Sequence, residues 1–206
     1  VATKKYNGYF DPTQCYSYGS SRFTPQGSRA VSAPTCGSTK PWDGNFLNWL
    51  TMERIEIAKW VMMGGKCAPR STNGDCYPGG KLIFETDDRI STITAAADGV
   101  TELAGNRCFD RIGNSLRIYT TNCSSGIDKT YTLSADVAVE PNGVIQQVGS
   151  KARFGLMEFN SNGTDPQGGK VLAEVGGNMT SMINAIENTS ASTWTPRRSV
   201  VSCRLL

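Results

Sequence analysis

Asp43-Gly44-Asn45-Phe46-Leu47-Asn48-Trp49-Leu50-Thr51-Met52-Glu53-Arg54-Ile55-Glu56-Ile57-Ala58-Lys59-Trp60-Val61, closed by Met62-Met63-Gly64-Gly65, is the stretch on which the fold turns. Apolar residues recur at Phe46, Leu47, Leu50, Ile55, Ala58, Val61 and Met62, near the spacing of one helical face. Asp43 or Asn45 can cap the start, and Gly64 stands where a helix end favours a left-handed residue. The pattern therefore predicts one helix over about 43–63 packed on a core, with Trp49 and Trp60 partly outside its main stripe.

Outward from this helix, the composition sets limits. A chain of 206 residues can bury one substantial core. It is 38% hydrophobic and only 19% charged, with abundant Gly, Ser, Thr and Asn, which suits a turn-rich extracellular β protein. A net charge of +3 without a basic patch argues against a nucleic-acid partner. No apolar run is long enough for a transmembrane segment. Val1 to Tyr6 lacks a signal-peptide pattern, so either one was removed or the chain is a piece of a longer protein, the reading favoured here.

Seven cysteines and no histidine narrow the chemistry further. They argue against Cys/His metal clusters, since no pair has a metal-ligand gap, and exclude His-dependent hydrolase triads. Cys15 and Cys36, Cys67 and Cys76, and Cys108 and Cys123 are neighbours in sequence and flank polar loops, so they are disulfide candidates for an oxidising compartment. Six cysteines allow fifteen pairings, and spacing alone does not select one. Cys203 is left over.

Residues 1–41 are aromatic and polar without periodicity and read as an ordered loop region packed on the domain. The helix of 42–63 follows. Residues 64–150 carry short strand patterns at 81–86, 116–121 and 131–139, and a piece at 144–148 with helix or strand character, a β-rich insertion. Over 151–196 come a buried strand pattern at 153–160, a turn-rich loop, a strand pattern at 170–175, and a helix opened by Asn178 with Met179, Met182, Ile183 and Ile186 on one face. Such a succession after an earlier helix indicates α/β organisation. Residues 197–206 form an atypical tail.

Four stretches, Gly8-Tyr9-Phe10-Asp11-Pro12, Trp42 to Trp49, Arg153-Phe154-Gly155-Leu156-Met157 and Asn188 to Pro196, resemble the PilC/PilY family of bacterial type IV pilus tip proteins. The likeness runs in order over most of residues 6–196 and is weakest over 64–150. It implies an α/β fold: part of a von Willebrand factor A-like, doubly wound domain with a disulfide-containing β-rich insertion. On that reading 42–63 holds the first helix of the domain, and 154–159 and 178–186 pack with 54–61 as neighbouring layers.

The resemblance also implies an ion site built from an Asp-x-Ser-x-Ser loop, a Thr and a later Asp, an all-oxygen set suited to Mg²⁺ or Ca²⁺. Thr195 resembles the metal-site Thr, with Thr193 a weaker candidate. The other elements are absent from the chain, so no cofactor is expected unless the missing residues are supplied, and Thr195 reads equally as a helix cap before Pro196. The tail departs from the Leu- and Ala-rich helix of the family and reads as translation in a shifted frame.

Three functions follow as expectations. The first is an extracellular, non-enzymatic adhesion and pilus-assembly module at the pilus tip or outer membrane. Its partners would be pilus proteins, a host or abiotic surface, or the rest of its own parent protein. Tyr9, Tyr16, Tyr18 and Trp194 are its candidate binding-surface rings, because Tyr and Trp give large contact area at low ordering cost, although such rings also pack internally. The second is a carboxylate glycosidase using Asp87 with Asp88 or Glu53 with Glu56, the latter pair reading better as surface salt bridges with Arg54 and Lys59. The third is a structural piece whose unpaired strand edges invite another chain.

Overall fold

A computed structural model describes residues 4–29, 36–37, 39, 41–71, 74–85, 89–96, 106–123, 125–137, 142–159 and 169–189. The chain opens with β1 (Gln14–Gly19), β2 (Arg22–Ser28) and β3 (Trp42–Asp43), then α1 (Gly44–Thr51) and α2 (Arg54–Met63). Next come β4 (Cys67–Arg70), β5 (Cys76–Ile83), β6 (Arg89–Ala96), β7 (Asn106–Ile112), β8 (Ser115–Asn122), β9 (Ser125–Thr132) and β10 (Ser134–Asp136). The last described elements are α3 (Val144–Val148), β11 (Leu156–Phe159), β12 (Gly169–Ala173) and α4 (Met179–Asn188).

The single helix expected over 43–63 is two helices. Asp43 caps α1, its Oδ1 accepting from Phe46 N at 2.8 Å, and Met52 then turns extended. Glu53 restarts the chain through a capping box, in which Glu56 Oε2 accepts from Glu53 N at 2.9 Å. Gly64 closes α2 at φ 76°, the left-handed conformation foreseen for it. The break resets the helical phase. Phe46, Leu47 and Leu50 face inward as expected, but in α2 the buried residues are Glu56, Lys59 and Met63, while Ile57 and Val61 are 39% and 47% exposed.

Region 1–41, expected as loop, contains the antiparallel hairpin β1–β2. Ser20 and Ser21 both take positive φ at its turn, the pattern of a type I′ connection. Two serines carry none of the Asn-Gly signal that usually marks such a turn. The strands join a sheet ordered β3-β1-β2-β10-β5-β4, so residues from 1–41 and from 64–150 share one layer. Ala135 opposite Phe23 makes its one parallel pairing among the described residues. A second antiparallel sheet runs β6-β7-β8-β9, and β11 pairs with β12 alone. Mixed α/β structure is present. The described sheets are otherwise antiparallel, so the layered parallel arrangement of a doubly wound domain is not what holds this core.

An aromatic network fills the first core. Phe10 meets Tyr16 and Phe23 edge-on at 5.3 and 5.6 Å, Phe23 meets Trp42 at 5.2 Å, and Trp42 meets Tyr131 at 5.0 Å. Such contacts add about 0.5–1.5 kcal/mol each beyond area burial. Phe46 of α1 reaches Phe109 of the second sheet at 5.7 Å. A second core gathers Met63, Ile145, Leu156, Met182, Ile183 and Ile186, so α2, β11 and α4 do pack together. Asn178 caps α4 as its sequence predicts, and 144–148 is helical.

Candidate functional site

Two asparagines of the opening stretch turn inward. Asn48 donates to the carbonyls of Tyr6 and Phe10 at 2.8 and 2.7 Å and accepts from Phe10 N at 3.0 Å. Asn45 accepts from Tyr6 N and donates to Lys4 O. Buried amides need such partners, and here they strap residues 4–10 across α1. Gly8 lies under the strap, where a Cβ would come within 2.6 Å of Asn48 Oδ1.

The strap forms one wall of a cleft of about 560 Å³. Asn7, Asp11 and Pro12 line it, together with Trp60 and Val61 of α2 and Gly64 at the end of that helix. Tyr9, Leu82, Val137, Asn142 and Gln147 line it as well. Mixed apolar walls with a few polar groups are the usual make-up of a ligand site.

A buried ionic network joins α2 to β7, to the segment after β5 and to α4. Arg111 of β7 donates to Glu56 Oε1 at 2.5 Å, to the carbonyls of Thr51 and Gly113 at 2.6 Å, and to that of Glu85 at 3.1 Å. Lys59 pairs with Glu85 at 2.6 Å and donates to Glu187 O at 2.9 Å, while Lys66 reaches the other oxygen of Glu85 at 3.2 Å. Arg70 pairs with Glu187 of α4. Arg117, Asp110 and Tyr119 form a further cluster on β7–β8. Glu53 and Glu56 are therefore not surface salt-bridging partners of Arg54 and Lys59. Glu56 and Lys59 are fully buried, because the phase reset carries their face inside. These carboxylates hold cations and backbone groups, while Asp110 Oδ1 is buried without a hydrogen-bond partner among the described residues.

The expected site residues fare differently. Tyr9 and Tyr16 are largely buried, at 5% and 4% exposed, and both line the cleft. Tyr9 OH accepts from Lys66 N and Tyr16 OH from Asp11 N, so they are floor and strap supports. Tyr18 is half-buried against Phe23 and Tyr131, its OH accepting from Thr132 N at 2.9 Å. Trp194, Thr195, Thr193, Asp87, Asp88, Cys203 and the tail of 197–206 lie outside the described residues. Cys15 is joined to Cys36, Cys67 to Cys76 and Cys108 to Cys123. Among the described residues no group of three or more His, Cys, Asp or Glu converges to hold a metal, so they offer no cage for Mg²⁺ or Ca²⁺. Sequence reading missed the cleft wall of Trp60 and Val61. The Glu53-x-x-Glu56 spacing was the available signal that the helical phase restarts there.

Burial sets the pH behaviour of the strap. It pushes the Tyr16 phenol up to about 12 and raises Tyr9 as well. In the folded protein both keep their protons above the ordinary value of 10.0, where the unfolded chain loses them. Their contribution is thus whole below pH 10 and is lost as pH rises through the folded value. Burial lowers the Lys59 ammonium, against the pull of Glu85, and this works in the opposite sense, favouring folding as pH climbs toward 10.5. Alkaline titration should therefore show late tyrosinate absorbance coinciding with unfolding, and Tyr16→Phe should remove part of it. Uniform titration of all tyrosines near pH 10 in a folded chain would contradict this burial.

A family model described as "PilY1 homolog, small alpha/beta domain" matches residues 2–136. No curated protein and no solved structure matches the chain. The matched span ends at Asp136, the last residue of β10, and the first core, from Tyr9 to Val137, lies almost wholly within it.

Proposed function

The chain belongs to the PilY1-homologue family through its small alpha/beta domain, which ties it to type IV pilus-associated proteins, and from that premise we propose that it is a partner-binding module of a pilus adhesin or assembly factor. It acts by binding and not by catalysis. The observation that carries this reading is the division of labour in the matched span. Asn45, Asn48 and Gly8 build a strap of residues 4–10 over α1, and beside it a cleft is lined by the exposed Asp11 and Val61. Glu56, Glu85, Asp110 and Asp136 are all committed to ion pairs, which speaks against the carboxylate glycosidase.

Three disulfides suit an extracellular place at the pilus tip or outer membrane. Among the described residues no helix is long and apolar enough to cross a membrane. Beyond Asp136, α4 covers one face of β11–β12, consistent with a layer of a larger von Willebrand A-like domain. The pair exposes Met157 and Val171, at 46% and 54%, and Val175 just after β12 is 54% exposed. A two-stranded sheet is marginal alone, and this favours a second reading, a structural piece that assembles with other chains or with the rest of its parent.

One experiment separates the readings. The segment encoding residues 2–136 is deleted in frame in the source bacterium, and surface pili and attached cells are counted. Loss of attachment with normal piliation supports the adhesin, and loss of pili supports assembly. Unchanged pili and attachment would overturn both.

A further inference from the structure

The cleft between strap and α2 opposes the chain in sign. The net charge of the chain is +3, yet the charged residues lining the cleft, among those described, are Asp11 and Asp136. Asp136 is engaged by Arg22 at 2.8 Å and Thr24 at 2.7 Å. Asp11 uses Oδ1 to accept from Thr13 N and Oγ1, and its Oδ2 carries no bond among the described residues. Val61, which lines the same cleft, is 47% exposed, and Ile57 one turn earlier on α2 is 39% exposed.

We propose that this cleft is a docking groove for an extended polypeptide segment of another protein, one that carries a basic side chain beside an aliphatic one. The inference deepens the partner-binding reading above and rests on it. The aliphatic side chain lies against Trp60 and Val61, where removing apolar area from water contributes roughly 25 cal/mol per Å². The cation reaches the Asp11 carboxylate. Peptide groups meet the side-chain amides of Asn7 and Asn142, which make no hydrogen bond among the described residues, and Gln147, whose Nε2 already donates to Asn142 O at 2.8 Å. A volume of about 560 Å³ falls within the range of ligand sites and accommodates a few side chains. Phosphate-bearing partners are repelled by the carboxylates, and a saccharide would leave the aliphatic wall uncovered.

The test is selection from a positional-scanning hexapeptide library by the intact, disulfide-bonded chain, followed by fluorescence polarisation of the selected peptide. Lys or Arg beside Leu, Ile or Val should be enriched. Asp11→Asn, which keeps the turn to Thr13, should weaken binding about two- to fivefold, the size of an exposed ion pair, and flatten its salt dependence. Val61→Glu should weaken it by roughly tenfold or more. Both positions are exposed, and an unchanged Tm for each variant shows that the fold is intact. Enrichment of acidic peptides, no enrichment, displacement of the peptide by maltohexaose, or wild-type binding by both variants would overturn the groove. Peptide selection by a chain whose deletion leaves pili and attachment intact would end the pilus role alone. The reverse outcome would end the groove alone.

Discussion

Replacing Arg111 with methionine should lower the unfolding free energy by about 3–5 kcal/mol, the usual loss when one partner of a buried ion pair is removed. The guanidinium is fully buried and ties four backbone and side-chain groups together. It joins β7 to the end of α1 through Thr51 O, to α2 through Glu56, and to the segment after β5 through Glu85 O. It also lies over the Phe84 ring at 5.1 Å. Methionine fills the volume but leaves the Glu56 charge and three carbonyls unanswered. Lysine should rescue little, because one ammonium cannot reproduce the planar fork. Glu56→Gln added to Arg111→Met should cost less than the two single losses combined, since no bare charge then remains. Urea unfolding followed by circular dichroism measures this as a shifted midpoint at unchanged slope. A midpoint within experimental error of wild type for Arg111→Met would refute the network's role.

Reduction of the disulfides is expected to have the second large effect. The bonded pairs are separated by 21, 9 and 15 residues. Chain entropy assigns closures of these lengths roughly 2.5–3.5 kcal/mol each. Together this is comparable to the whole stability of a typical domain, about 5–15 kcal/mol. Cys15–Cys36 ties β1 to the approach of β3, Cys67–Cys76 joins β4 to β5, and Cys108–Cys123 links β7 to the end of β8. Dithiothreitol should therefore unfold the chain or bring its urea midpoint close to zero, and Cys15→Ser with Cys36→Ser should cost roughly 3 kcal/mol. Reduced chain with an unchanged midpoint would show that the aromatic core suffices.

Which parts of this were readable beforehand follows from how local each signal is. Asp43, Gly64 and Asn178 cap their helices as their residue types dictate, since a cap needs only its own turn. Met182, Ile183 and Ile186 face a core because their spacing is helical whatever lies opposite. The β1–β2 hairpin was not legible, because Ser20 and Ser21 take positive φ without an Asn or Gly to announce it. The inward face of α2 was misread because Ile55, Ala58 and Val61 continue the period of α1 across a break that shifts the phase. The cleft follows from that break: Val61, which the continued period assigns to the core, stands exposed in its lining.

By itself the sequence determined the helix caps at Asp43, Gly64 and Asn178, the mixed α/β character and the likeness to the pilus proteins, all properties of residues near one another in the chain. Only the tertiary structure decided that charged Glu56 and Lys59 are interior while Val61 is exposed. A buried charge is tolerable only when its counter-charges arrive from elsewhere, and here they come from Arg111 and Glu85, residues 55 and 26 positions away.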